Sequence, residues 1–258
     1  MKIIFFGNTS FGLPTLEKLN KSDIKIIAAV TNNDVYKSRK KIIKTPIKSW
    51  AEQNSIELIQ QDNLNDMNFI KNLKSLNADF FIVIAYKILP QQIFSIPKYG
   101  TMNLHGSLLP KYRGAAPIQR SILNGDKVTG ISTFIIDKDI DTGNVILQKE
   151  LSIGGKNFGQ IHDELSKMGA SLVINSINHI VQKKPLFEQQ GSYTYAPKIK
   201  KDETQINWHL SSTNIINLIR AFSPTPGAFS YLNDKRVRIY EAIKSLDSRK
   251  YIPLNSTA

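Results

Sequence analysis

An α/β fold with a mainly parallel central sheet, followed by a smaller β-containing unit, is what this sequence predicts. Three features carry the prediction. Short, nearly all-apolar segments recur along roughly the first two hundred residues, each too short for a helix and bounded by turn residues. Stretches with helical spacing stand between them, and strands separated by helices are the signature of a parallel sheet. The segment at residues 79–86 is apolar at almost every position, as expected of a strand covered on both faces.

Taken in order, residues 2–6 form a first apolar strand that ends in Gly7. A helix-like stretch lies at 16–19, and residues 25–30 read as a second buried strand. Helices are expected over 45–54 and near 67–76, then strands over 79–86, 100–105, 128–137 and 144–151. Residues 158–181 place Ile161, Leu165, Met168, Leu172, Ile174, Ile177 and Ile180 roughly on one side of a long helix. Past about residue 186 the texture changes, and residues 192–201 are polar, basic and irregular. Ser211 or Ser212 can cap a helix running to Phe222, which Ser223-Pro224-Thr225-Pro226-Gly227 ends. Strands at 228–232 and 236–243 follow, joined by Asn233-Asp234-Lys235. The division is therefore a first domain over 1–185, a linker over 186–203 and an abbreviated β unit over 204–258. With 15 residues after Ile243, a closed barrel is not expected.

Composition removes several chemistries. The chain has 258 residues and no cysteine, so disulfides, thiolate-bound zinc, iron–sulfur clusters and cysteine nucleophiles are excluded. It lacks an apolar run of about 18 residues, and its first apolar segment turns straight into Gly7, so neither a membrane span nor a secretory leader is expected. A soluble, cytoplasmic protein is the expectation. The 34 Lys and Arg against 21 Asp and Glu give a formal net charge of +13, but 27 of the 34 are Lys, a bias that nucleotide composition alone can produce. Local density is the better signal of a polyanionic partner. Lys37, Arg39, Lys40, Lys41, Lys44 and Lys48 fall within twelve residues that contain no acid.

Common ligand motifs fail on detail. Gly7-Asn8-Thr9-Ser10-Phe11-Gly12 has phosphate-loop spacing, but Leu13-Pro14 stands where Lys and Ser or Thr are required. The three-glycine dinucleotide fingerprint is missing. Asp137, Asp139 and Asp141 open like a calcium loop, yet the glycine falls one place late and Gln148 replaces the bidentate acid. His105, His162, His179 and His209 have no metal-ligand spacing, and no metal is expected.

What remains is Asn103-Leu104-His105-Gly106-Ser107-Leu108-Leu109-Pro110-Lys111-Tyr112-Arg113-Gly114. Residues two apart in a strand project to one side, so Asn103 and His105 point together, at the carboxyl end where α/β sheets bind ligands. Gly106, Pro110 and Gly114 shape a rigid loop after them. These groups suit transfer of an acyl-level carbon to an amine. An Asn amide N–H stabilises a developing oxyanion, typically by roughly 3 kcal/mol. An imidazole that manages the nitrogen proton contributes about 10² to 10⁴-fold. A carboxylate holds such a ring in one tautomer, and Asp141, in the turn Ile140-Asp141-Thr142-Gly143, is the candidate. Asp137 and Asp139 read as turn-forming or solvated acids.

The segment 103–114, with Asp141-Thr142-Gly143 placed 38 residues after Asn103, resembles the folate-dependent formyltransferases that use 10-formyltetrahydrofolate. The resemblance implies a Rossmann-like formyltransferase domain, with Asn103 as carbonyl polariser, His105 as acid and base, and Asp141 as its partner. It also implies that Ser107, Leu108, Leu109 and Pro110 lie against the folate, and that the attacked formyl group leaves tetrahydrofolate through a tetrahedral intermediate. The run Arg113-Gly114-Ala115-Ala116-Pro117-Ile118-Gln119-Arg120 is similar to the methionyl-tRNA branch of that family. Tyr195-Ala196-Pro197-Lys198-Ile199, Ile206-Asn207-Trp208, Ile219-Arg220-Ala221 and Pro226-Gly227-Ala228 look like the entry to its C-terminal, oligonucleotide-binding-type barrel, here truncated. By the same resemblance Lys37, Arg39, Lys40, Lys41 and Lys44 are expected to reach the acceptor end of an aminoacylated initiator tRNA. The loop differs from the family's usual Pro- and Gly-rich stretch, carrying Asp34-Val35-Tyr36-Lys37-Ser38 instead. A monomer is the expected form. Two other readings stay open: a sugar-amine N-formyltransferase using the same donor, and a catalytically silent tRNA-binding module.

Overall fold

A computed structural model describes residues 1–38 and 41–245. In chain order its strands and helices are β1 (Lys2–Gly7), α1 (Leu13–Asn20), β2 (Lys25–Thr31), β3 (Val35–Ser38), β4 (Lys41–Ile43), α2 (Pro46–Gln53), β5 (Leu58–Gln60) and α3 (Met67–Ser75). Then come β6 (Phe80–Ile84), α4 (Gln91–Phe94), β7 (Thr101–His105), β8 (Arg113–Gly114), α5 (Pro117–Leu123), β9 (Val128–Ile135) and β10 (Val145–Ser152). The remainder is α6 (Phe158–Val181), β11 (Tyr195–Ala196), α7 (Ser212–Phe222), β12 (Ala228–Leu232) and β13 (Lys235–Ile239).

Seven strands form the central sheet in the order β10-β9-β7-β6-β1-β2-β5. The five from β7 to β5 run parallel, while β9 is antiparallel to β7 and β10 antiparallel to β9. The sheet is thus mainly parallel as the sequence predicts, with an antiparallel edge. The connection after β9 accounts for one of these two antiparallel pairs, β9 with β10. Only the turn between Ile135 and Val145 joins β9 to β10, and a parallel pair needs a crossover of a dozen or more residues.

Alternation along the strands sorts their side chains into two cores. Ile3, Phe5, Phe80, Ile82, Ile84, Met102 and Leu104 pack with Leu16, Leu19, Ile47 and the apolar face of α6. Ile4, Phe6, Ala28, Val30, Phe81 and Val83 pack on the opposite side with Phe69, Ile70, Leu73 and Ile93 of α3 and α4. Helix α6 begins with a reciprocal cap: Asn157 Oδ1 accepts from the Gln160 backbone N–H, and Gln160 Oε1 from that of Asn157. It comes very close to β7, since a Cβ on Gly169 would stand 2.5 Å from Leu104 Cδ2. Among the described residues no helix is long and apolar enough to cross a membrane.

The C-terminal unit is held against this frame by α7, which packs on α5. Ser211 caps α7, and Ile206, Ile219, Phe222 and Ala228 form a small core of their own. The β12–β13 hairpin pairs Ala228 with Ile239 through Leu232 with Lys235. Arg120 of α5 ties the two parts together. Its Nη1 and Nη2 donate to both oxygens of Glu203, at 2.6 and 3.1 Å, while Nε and Nη2 donate to the Pro197 carbonyl. Arg120 holds the Glu203 carboxyl below its ordinary value, assisted by the Lys200 backbone N–H.

A carboxyl so lowered stabilises the fold fully above its ordinary value and loses that contribution as pH falls through the lowered one. Glu203→Gln should therefore lower the melting temperature at pH 7 by about 2–4 °C. The gap from the parent protein should close below about pH 4, as thermal melts across pH would reveal.

Candidate active site

Burial of Met102 and Leu104 beneath α6 sends their neighbours Asn103 and His105 to the other face of β7. There Leu109, Phe134 and Val145 form a small apolar cluster, and the His105 ring stands edge-on to Phe134 with centroids 6.5 Å apart. His105 is only 6 % exposed. Its Nε2 lies 2.8 Å from the Tyr112 carbonyl oxygen. A carbonyl can only accept, so Nε2 carries the hydrogen and Nδ1 is left as the nitrogen able to take a proton. Asp141 Oδ2 stands 3.6 Å from Nδ1, where positive charge would appear on protonation. The same oxygen accepts the Gly114 N–H at 2.7 Å. The tautomer is therefore set by a backbone carbonyl, and the carboxylate faces the other nitrogen. Asn103 is half-buried, and its side chain makes no hydrogen bond to another described residue, leaving its amide available to a ligand.

Two backbone positions in the left-handed region make this geometry. Tyr112 has φ +60° and Asp141 φ +55°. The Tyr112 conformation is held from both ends: its N–H donates to Thr194 Oγ1 at 2.8 Å and its hydroxyl to Asp126 Oδ2 at 2.6 Å. Burial, reinforced by Asp126, pushes the Tyr112 phenol well above its ordinary value, so it remains a donor. Asp137 Oδ1 accepts from the Asp139 N–H and from the Thr142 hydroxyl, and so shapes the turn that presents Asp141.

The loop after His105 is fastened from beneath. Ser107 is fully buried and donates to the Lys111 carbonyl at 2.6 Å. Ser132 of β9 donates to the Ser107 carbonyl and accepts the Leu109 N–H, while Gln148 of β10 donates to the Leu109 carbonyl. Leu108 lies over Gly130, where a Cβ would come within 2.5 Å of it. Leu109 and Pro110 line a cavity of about 350 Å³ with Val145, Leu147, Gln148 and Phe187. Its lining mixes apolar side chains with the Gln148 amide.

Residues 1–177 match the formyl transferase family, and residues 198–251 match the formyl transferase C-terminal domain. The chain belongs to the formyl transferase family. It is 49 % identical over 244 residues to methionyl-tRNA formyltransferase of Thermodesulfovibrio yellowstonii, covering 92 % of this chain and 78 % of that protein. Two solved structures share the fold. One is HypX from Aquifex aeolicus, with a TM-score of 0.71 and 15 % identity, of which the match covers 39 %, against 93 % of this chain. The other is methionyl-tRNA formyltransferase from Clostridium thermocellum, with a TM-score of 0.65, 19 % identity, and 95 % and 94 % of the two chains covered.

In this formyl transferase the basic segment is only partly described. Lys37 and Lys41 lie on the antiparallel β3–β4 pair, and Arg39 and Lys40 fall outside the described residues. Lys44 is exposed but bonds Glu52 at 2.7 Å, which raises its ammonium above the ordinary value. Lys48 turns inward and corrects its place in the cluster. Its Nζ bonds Asp34 at 2.6 Å and Gln60 at 2.9 Å, it is 8 % exposed, and it holds the Asp34 carboxyl below its ordinary value. An amphipathic helix α2 with Ile47 on its buried side also buries the position beside it, a signal that was available.

Sequence reasoning passed over Ser132, Gln148, Asp126 and Thr194 as groups that fasten the loop. Ser132 carries a readable sign: a hydroxyl within the buried run Gly130-Ile131-Ser132-Thr133-Phe134 needs a partner. The turn carrying Asp141 is equally tight, since a Cβ on Gly143 would overlap the Ile135 carbonyl oxygen. Gly143→Ala should displace that turn and lower turnover by about 10²-fold, with the far-ultraviolet dichroism retained. Single-turnover formyl transfer is the measurement.

Proposed function

We propose that the chain transfers the formyl group of 10-formyltetrahydrofolate to the amino group of methionyl-tRNA, as a cytoplasmic monomer serving translation initiation. The relative at 49 % identity across 92 % of the chain is the observation that carries this reading. When bound, the donor supplies an N-linked formyl carbon: a C–N bond to the incoming amine forms, the bond to the folate nitrogen breaks, and one proton passes between the nitrogens.

The residues divide this work. Asn103 donates its amide N–H to the formyl oxygen as charge develops there. His105, protonated at Nε2 by its bond to Tyr112, takes the amine proton at Nδ1 and returns it to the departing nitrogen. Asp141, 3.6 Å from Nδ1, stabilises the imidazolium in the interval. Leu109 and Pro110, with the cavity beside them, hold the donor, and Ser107 keeps the loop's shape from within.

Asn103→Ala should lower turnover by about 10² to 10³-fold and His105→Ala by about 10² to 10⁴-fold, each with an unchanged fold. Formylation assays on methionyl-tRNA and on an amino sugar nucleotide, run side by side, test the acceptor. Transfer to the sugar alone would overturn the reading, and no transfer at all would favour a silent tRNA-binding module. Neutralising Lys40 and Lys41 together should weaken tRNA binding and reduce the slope of log affinity against log salt by about 1 to 2. An unchanged slope would make this segment a solvated face.

A further inference from the structure

Gln189 lies between the two stretches that match the family, outside both. Its side-chain nitrogen donates to the Asp141 carbonyl at 2.8 Å and to the Gly143 carbonyl at 2.9 Å. Its side-chain oxygen accepts from Arg113 Nε at 3.1 Å and Nη2 at 2.7 Å. All four bonding directions of the amide are therefore used, and the partners leave one orientation open to it: two carbonyls require the NH₂ group and a guanidinium requires the oxygen.

The two things gripped are the two halves of the reacting pair's support. Asp141 and Gly143 bracket the left-handed turn that aims the carboxylate. Arg113 sits between Tyr112, whose carbonyl fixes the His105 ring, and Gly114, whose N–H anchors the Asp141 carboxylate. The segment around Gln189 supports the same loop again. Thr194 receives the Tyr112 N–H on its hydroxyl and the Arg113 N–H on its carbonyl, and the Tyr193 ring lies 5.1 Å from the Arg113 guanidinium.

We propose that Gln189 is a positioning residue that sets the separation of Asp141 from His105. The segment joining the two family regions is thereby part of the catalytic apparatus and not a passive tether. The proposal rests on the assignment of His105 and Asp141 as the reacting pair, and its test is chosen to stand apart from the identity of the acceptor.

Three variants of the full chain separate the roles: Gln189→Ala, Gln189→Glu and, as a spectral assignment control, His105→Gln. The imidazole C–H signals of His105 are recorded by NMR at one fixed pH without substrate, alongside steady-state kinetics. In Gln189→Ala the carboxylate drifts from Nδ1, so the His105 C–H signals should shift from their parent positions. Turnover on methionyl-tRNA should fall about 10 to 10²-fold while KM for both substrates stays within about threefold. Gln189→Glu keeps an acceptor for Arg113 but offers no hydrogen to the two carbonyls, and should be at least as impaired. Unmoved His105 C–H signals in Gln189→Ala would overturn the proposal, as would parent-like turnover in Gln189→Glu. A parent protein that fails to formylate methionyl-tRNA, yet whose His105 C–H signals shift on Gln189→Ala, would overturn the acceptor assignment and support the role of Gln189.

Discussion

The alternation of β7 is the constraint on which the site depends. A strand with both faces in use must give successive residues to opposite sides, and Met102 and Leu104 are claimed by the core under α6. Asn103 and His105 then have no choice of face. A slip of one residue would turn the amide and imidazole into the core under α6 and send two large apolar side chains to the face that carries Leu109, Phe134 and Val145, so packing enforces the register. The close approach of α6 at Gly169 tightens that enforcement, because it presses a helix backbone against Leu104 itself.

From this fixed strand end, the remaining geometry is built by backbone groups more than by side chains. The Tyr112 carbonyl sets the imidazole tautomer, and the Gly114 N–H sets the carboxylate. Backbone groups in a well-fastened loop have little freedom to reorient during a reaction, which is the property a pre-organised site needs. The fastening is distributed: Ser132 and Gln148 from the antiparallel edge, Asp126 from beyond α5, Thr194 from the linking segment.

Much of the fold was legible in the sequence, and the failures have physical causes. The bounds 158–181 and 228–232 coincide with α6 and β12, because a long apolar stripe with a cap, and a β-rich run between a glycine and a turn, are strong local signals. Strand β5, with three residues, and helix α4, with four, are too short for any periodicity to register. The β8–β11 pair, with Tyr195 opposite Arg113, joins segments some eighty residues apart and has two residues in each strand. The shared face of Asn103 and His105 was legible from alternation, and the turn that carries Asp141 from its residues. Gln189 was not, since a lone amide in an irregular segment gains meaning only from partners 46 to 76 residues away. Lys48 shows the opposite failure: a run of cations invites a single explanation, although one member is spent on a half-buried carboxylate.

Gly114 carries one more consequence. It has φ +115°, and a Cβ there would meet the Ala196 carbonyl oxygen at 2.9 Å. Neither chain segment of this contact can change its volume or its path without the other giving way. Because the contact is with backbone and φ is positive, no side chain at 196 can make room for one at 114, and the loop's path holds that position to glycine. In a library randomised at both positions, the surviving proteins would keep glycine at 114 whatever stands at 196.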